Sequence, residues 1–242
     1  MTKPTLATFT FIALCGLFFS ACTPQRLLVG AIVDKNVGKV RLLLNAGTPV
    51  NQPYGESQLT PLMAAALVGS PEVTQLLIEH GAEVNARDKS GTTALHVAAR
   101  TGDCSTIKIL VANGAELDGR DAIGVTPLMS AVMIGKPEAM KCLIEIGANV
   151  DLQAIGGNTV LMNAVFSGDP AIVQALLDAG ADTSLRTECG DTAEDVVMGI
   201  KDAGIKDLHT DEILRLLHDH RSATPPSAPR SPDHSNDCGC TE

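Results

Sequence analysis

Residues 93–99 read Thr93-Ala94-Leu95-His96-Val97-Ala98-Ala99, and 33 residues upstream stands Thr60-Pro61-Leu62-Met63-Ala64-Ala65-Ala66. The threonine recurs at Thr126, Thr159 and Thr192, each 33 residues after the last. Three glycine columns keep the same step. Gly91, Gly124, Gly157 and Gly190 lie two residues before a threonine. Gly69, Gly102, Gly135 and Gly168 lie nine after one, and Gly81, Gly114, Gly147 and Gly180 twenty-one after one. A fixed period of this length is the signature of a stacked solenoid, in which no unit can bury its apolar face alone.

Each column has a physical reading. The threonine is a helix N-cap whose hydroxyl accepts from an orphan amide, and Pro61 and Pro127 take the first helical position, where a missing N–H costs nothing. Leu62, Leu95, Leu128 and Leu161 then point inward. Ala65, Ala66, Ala98, Ala99, Ala131 and Ala164 allow neighbouring helices to approach closely. Gly69 and its equivalents end the first helix in left-handed geometry, and Ser70-Pro71 or Asp169-Pro170 open the second with a cap. Apolar triplets such as Leu76-Leu77-Ile78 and Ala175-Leu176-Leu177 bury that second helix. Asn85, Asp118 and Asp151, four residues after a closing glycine, are placed to satisfy turn backbone.

The strings at 60–66 and 93–99 resemble the T-P-L-H-x-A-A pattern of ankyrin repeats. The resemblance covers 25–221 and implies an all-α solenoid of about six repeats. They fall near 25–51, 52–85, 86–118, 119–151 and 152–184, with a divergent cap at 185–221. The first repeat carries an extra residue around Tyr54-Gly55-Glu56-Ser57. In the last, Glu194 replaces the core leucine and 199–206 lengthen the turn before a helix near 210–220. Terminal repeats are expected to be atypical, because one of their faces meets water. His96 matches the family's histidine, which orders the turn by hydrogen bonding. Met63, Met129 and Met162 fill the same space without its bonds.

The N-terminus reads as an address. Lys3 precedes an uncharged run from Leu6 to Leu17, and then Phe18-Phe19-Ser20-Ala21-Cys22 follows. These are the parts of a secretory signal peptide, predicted at 1–21, and its 16-residue stretch from Leu6 to Ala21 is shorter than the ~20 residues of a comfortable membrane span. Phe19 is too large at the third place before the cut for an ordinary signal peptidase. Ser20-Ala21-Cys22 instead resembles a bacterial lipobox, which implies lipid attachment at Cys22. An uncleaved anchor and plain secretion are the alternatives. Thr23, rather than Asp, follows Cys22; by resemblance to Gram-negative lipoproteins this implies the outer membrane, facing the periplasm.

Composition narrows the partners. Of 242 residues, 45% are hydrophobic but only 2% aromatic, and Phe9, Phe11, Phe18 and Phe19 fall within the signal. Tyr54 and Phe166 alone remain, so sites that stack several bases or sugars are excluded. The chain carries 18 basic against 28 acidic residues, a net charge of −10, which becomes −11 when Lys3 leaves with the signal. No basic stripe tracks a phosphate backbone, and no nucleic-acid partner is expected.

No catalytic or cofactor motif is present: there is no G-x-S-x-G, H-E-x-x-H or P-loop, and the glycines are spaced for caps and hairpins. No enzyme activity, cofactor or metal is expected. Cys142 aligns with core Leu76 and reads as an inert buried thiol, while Cys104 opens a second helix and Cys189 sits in a hairpin tip with no evident mate. The Pro/Ser-rich tail, 222–242, is expected to be disordered. It ends in Cys238-Gly239-Cys240, with His209, His218, His220 and His234 upstream, which leaves a metal-buffering or redox role as the competing function.

Ankyrin proteins usually grip partners through hairpin tips and the exposed end of the first helix, which line a concave face. Carried over to this chain, those places are Leu67, Val68, Arg100, Met133, Ile134 and Phe166 on the helices, and Arg87, Lys89, Arg120, Ile123, Ile155 and Arg186 on the hairpins. A basic column thus borders an apolar strip, and contiguous exposed apolar area marks interaction surfaces. The alternative is that these side chains seal the repeat interfaces. The expectation is a monomeric, non-enzymatic protein-binding module of the bacterial cell envelope. It would touch the membrane through its lipid anchor only and bind, protect or inhibit an enzyme or toxin.

Overall fold

The computed structural model describes residues 24–205 and 209–223. The signal segment, Cys22 and the tail from 224 onward lie outside the described residues. Among the described residues, twelve α-helices form six antiparallel pairs: α1 Pro24–Val33 with α2 Val37–Asn45, α3 Pro61–Val68 with α4 Pro71–Glu79, and α5 Ala94–Thr101 with α6 Cys104–Ala112. The remaining pairs are α7 Pro127–Met133 with α8 Pro137–Ile146, α9 Val160–Ser167 with α10 Pro170–Asp178, and α11 Ala193–Asp202 with α12 Thr210–Ala223. The described residues contain no strands, only isolated bridges at Tyr54–Leu59 and Gln153–Thr159.

The first helices stack in one layer and the second helices in another. Leu62, Leu95, Leu128 and Leu161 are buried between the layers, and Ala65, Ala66, Ala98, Ala99, Ala131 and Ala164 are fully enclosed. A larger side chain at these alanines has nowhere to go, which is why the core is nearly free of aromatic residues. The threonine caps form as the pattern requires: Thr60 accepts from the Met63 amide at 3.2 Å, and Thr126, Thr159 and Thr192 accept from Met129, Met162 and Asp195 at 3.3 Å. Gly69 ends α3 at φ 60°, a left-handed residue as expected.

The second-helix caps differ from one another. Asp169 accepts from the Ala171 amide, but Ser70 is buried and makes no cap bond; Pro71 alone starts α4. The last repeat also departs from expectation. Gly199 lies inside α11, not in a lengthened turn, because Val197 and Ile200 keep the helical period on the buried side and Gly199 faces outward. Glu194 stays half-buried beside His218, 3.1 Å away. The closing helix runs on to Ala223, two residues into the segment expected as tail. In the first hairpin, the extra residue is absorbed between Tyr54 and Leu59, where Gly55 and Gln58 both take positive φ.

Candidate protein-binding face

Hairpins join the helix pairs, and their tips pair in register. The amides of Lys89, Ala122, Ile155 and Glu188 donate to the carbonyls of Ser57, Ser90, Ile123 and Gly156, each in the preceding hairpin. A second set of bonds runs alongside through side chains. Arg87 donates to the Arg120 carbonyl, Arg120 to the Gln153 carbonyl at 2.6 Å, and Gln153 to the Arg186 carbonyl at 2.8 Å. Each donor thus reaches one repeat ahead. Arg87 also pairs with Glu116, and Arg186 closes on Gly190 of its own hairpin.

The column of Arg87, Arg120 and Arg186 therefore does structural work, whereas Lys89 and Arg100 stand exposed beside it. Repetition alone could not reveal this, because a donor to backbone and a charge for a partner recur with the same period. Asn85, Asp118 and Asp151 act between repeats as well. Asn85 accepts from the Glu116 amide at 2.9 Å and donates to the Gly114 carbonyl at 2.8 Å. Asp118 and Asp151 accept from the Asn149 and Asp182 amides. They serve the next repeat's turn, not their own.

The histidine expectation is met in detail. Buried His96 takes the Thr93 amide on Nδ1 at 3.3 Å and donates from Nε2 to the Val125 carbonyl at 3.0 Å. Burial, above all, holds its pKa below the usual histidine value; the Val125 hydrogen bond and nearby Asp121 oppose the shift. Met162 does more than fill the same space: its sulfur lies 3.5 Å from the Thr159 amide.

The cysteine reading is corrected. Cys142 is buried but not a free thiol; it forms a disulfide with Cys104, joining α6 to α8, with Cα atoms 5.9 Å apart. The shortness of Cα separation follows from second helices packing side by side, which brings the start of α6 to the middle of α8. Cys189, at the tip of the last hairpin, is disulfide-bonded as well. Among the described residues no group of three or more His, Cys, Asp or Glu is placed to hold a metal ion, and no helix is long and apolar enough to cross a membrane.

The apolar candidates come together. Leu67, Met133 and Phe166 hold equivalent places on α3, α7 and α9, each more than half exposed, with Arg100 between them on α5. Ile134 adds to the helix strip, and Ile123 and Ile155 occupy hydrogen-bonded neighbouring tips. Val68 differs: it is half-buried against the core. Met198 on α11 and Leu42 on α2 are exposed apolar residues that sequence reasoning missed. Met198 was hidden by its column, whose other members Ala66, Ala99, Val132 and Val165 are buried. Leu42 was hidden by its membership of an apolar triplet.

Residues 28–121 and 102–187 match the family described as ankyrin repeats (3 copies). The chain belongs to the ankyrin-repeat family. Its fold is similar to the crystal structure of the ankyrin repeat domain of Bcl-3, a member of the IkappaB protein family, at a TM-score of 0.65 and 26% identity, covering 79% of this chain and 97% of that one. The rat transient receptor potential cation channel subfamily V member 5 is 36% identical in an alignment of 107 residues that covers 38% of this chain and 14% of the channel. The human 2-5A-dependent ribonuclease is 34% identical over 74 residues, 31% of this chain and 10% of the ribonuclease. This chain thus matches only a small part of either relative, and the shared part is ankyrin repeat. Ankyrin repeats generally mediate protein–protein interaction and are typically non-enzymatic, so the ribonuclease match carries no hydrolytic chemistry with it.

Proposed function

We propose that this protein is an exported ankyrin solenoid that captures another protein on its apolar strip. The observation that carries this reading is the placement of Leu67, Met133, Ile134 and Phe166 at exposed helix positions, with Ile123 and Ile155 on adjacent tips. Isolated exposed apolar residues are ordinary, but a run repeated over several rungs favours burial against a partner. Lys89 and Arg100 beside it suit a partner segment that is apolar and acidic. The ladder arginines hold the hairpins in register, so their contribution to binding is to the shape of the surface.

The Cys104–Cys142 disulfide supports export, since such cross-links persist in oxidising compartments. With the lipobox at Ser20-Ala21-Cys22, it favours a lipid-anchored monomer on the bacterial outer membrane, facing the periplasm. By resemblance to envelope ankyrin proteins, the captured protein is an enzyme or toxin that is restrained or protected. Affinity capture from envelope extract, comparing the wild-type chain with Met133→Asp/Phe166→Asp, tests the face. Capture should disappear while helix content is unchanged; equal capture by both forms overturns the face. Cys22→Ser should move the protein to the soluble fraction after a high-salt wash, and membrane retention of that variant through the wash rejects the anchor.

The bonded state of Cys189 favours a second reading, in which the Cys238-Gly239-Cys240 tail acts by thiol–disulfide or soft-metal chemistry. Truncation after Ala223 separates the two. Loss of activity with partner capture intact would place the function in the tail.

A further inference from the structure

The first repeat and the rest of the solenoid carry opposite charge. Residues 24–51 contain Arg26, Lys35, Lys39 and Arg41 against the single acid Asp34, so 4 − 1 gives +3. Residues 52–221 contain 12 basic and 24 acidic residues, so 12 − 24 gives −12. A segregated basic patch on an acidic protein is a surface feature, with no bearing on the fold.

The basic end is also the most openly apolar. Leu42 on α2 is 71% exposed, and Val33 and Leu27 on α1 join it. Allowing for the extra residue in the first hairpin, the equivalents of Leu42 are Leu76 and Cys142, nearly fully buried, and Ile109 and Ala175, half-buried; none is exposed as Leu42 is. Cys142 packs on the second helix of the preceding repeat, as its bond to Cys104 shows directly. Leu42 has no preceding helix among the described residues, so the face that elsewhere seals a repeat interface is open here. Lys39 and Arg41 stand exposed immediately beside it. Cys22 lies only two residues before α1 begins.

We propose that α1 and α2 form a membrane-docking surface for anionic phospholipid, acting together with the lipid anchor. This rests on the export reading given above. Lipid-anchored proteins gain stable attachment from acyl chains combined with a basic patch, and exposed leucines beside such a patch enter the headgroup boundary. The same field repels the acidic repeats. The solenoid is therefore held by its first repeat, with the strip from Leu67 to Phe166 turned to the aqueous side.

The test is flotation of the mature chain, 22–242, made without its signal and carrying Cys22→Ser, which removes the lipid contribution. It is mixed with vesicles of phosphatidylcholine alone, or of phosphatidylcholine with phosphatidylglycerol. Binding is expected on the anionic vesicles only, and to weaken in high salt as the charges are screened. Lys39→Glu/Arg41→Glu/Leu42→Ser should reduce it by about 10-fold or more. Lys108→Glu/Lys141→Glu, which reverses exposed charges on α6 and α8, should leave it within about two-fold, because that surface lies on the acidic body. Equal binding to both vesicle types, no binding, or equal loss in both variants overturns the proposal. So does a sedimentation shift from dimer to monomer in the first variant with vesicle binding unaffected, since the open face then joins two copies. Circular dichroism of each variant confirms that the fold is retained. Acylation of the wild type is read separately from the mass of its N-terminal peptide. An unacylated Cys22 with vesicle binding intact sinks the anchor alone, and the reverse sinks the surface alone.

Discussion

His96 Nε2 donates to the backbone carbonyl of Val125 across a repeat boundary, 3.0 Å away, while its Nδ1 holds the Thr93 amide. One ring thus caps its own helix and fastens the next hairpin. The Thr93 bond requires the neutral imidazole, because a protonated Nδ1 cannot accept, whereas Nε2 donates to Val125 in either state.

The pKa of His96 is lowered in the folded state, so the unfolded chain binds the proton more readily. Stability from this group is complete above the unfolded value of about 6.5 and is lost as pH falls below it, levelling off beneath the folded value. Urea unfolding as a function of pH should show this acid loss, with a slope of up to about 1.4 kcal/mol per pH unit from this one group. His96→Met, matching Met63 and Met129, should flatten that part of the profile and cost ~1–3 kcal/mol at neutral pH by stranding the Val125 carbonyl. An unaltered acid limb would show that another group controls it.

Reduction should weaken the middle of the solenoid. The Cys104–Cys142 bond spans a sequence separation of 38 and restricts the unfolded chain, an effect of ~3–4 kcal/mol for loops of this size. Cys104→Ala/Cys142→Ala should lower the urea midpoint, and dithiothreitol added to that variant should lower it further only by what the bond at Cys189 contributes. Peptide mapping without reduction should join the tryptic fragments 101–108 and 142–186.

Asn85→Ala should cost more than Asp118→Ala. The first loses an acceptor for Glu116 and a donor to Gly114, whereas the second removes only the acceptor for Asn149. At ~1 kcal/mol per bond, the difference is of that order. Hydrogen exchange should localise it, with the Glu116 amide losing protection first.

Gly157 and Gly190 hold equivalent places with positive φ, but only Gly157 is covered by a following hairpin. A Cβ there would sit 2.8 Å from the Glu188 amide nitrogen, whereas at Gly190 it meets nothing within 4 Å. Gly190→Ala should cost only the left-handed penalty, ~1–2 kcal/mol. Gly157→Ala should cost more and displace Glu188 from Gly156, which thermal unfolding of the two variants would rank.

The period of 33 made the helix pairs, the caps and the enclosed alanines legible, because each is a local rule applied again and again. Relations between neighbouring repeats were not legible in the same way. Cys104 and Cys142 differ in their places within the repeat, so only the lateral packing of α6 on α8 reveals them as a pair. Arg87 and Asn85 bind a backbone one repeat ahead, and backbone atoms leave no trace in a column of residues. The strip was legible as apolar positions, but Val68 could be told from Leu67 only by its burial.

The hairpin side chains all reach in one direction, from Arg87 to Arg120, from Arg120 to Gln153, and from Gln153 to Arg186. The array therefore has a head and a tail in the chemical sense. Cutting away repeats from the N-terminus leaves bare carbonyls, which water serves readily. Cutting from the C-terminus strands cationic and amide donors that had a fixed target. Shortened forms of equal length should consequently differ in stability according to the end removed, and new repeats are best grafted where a waiting donor can receive them.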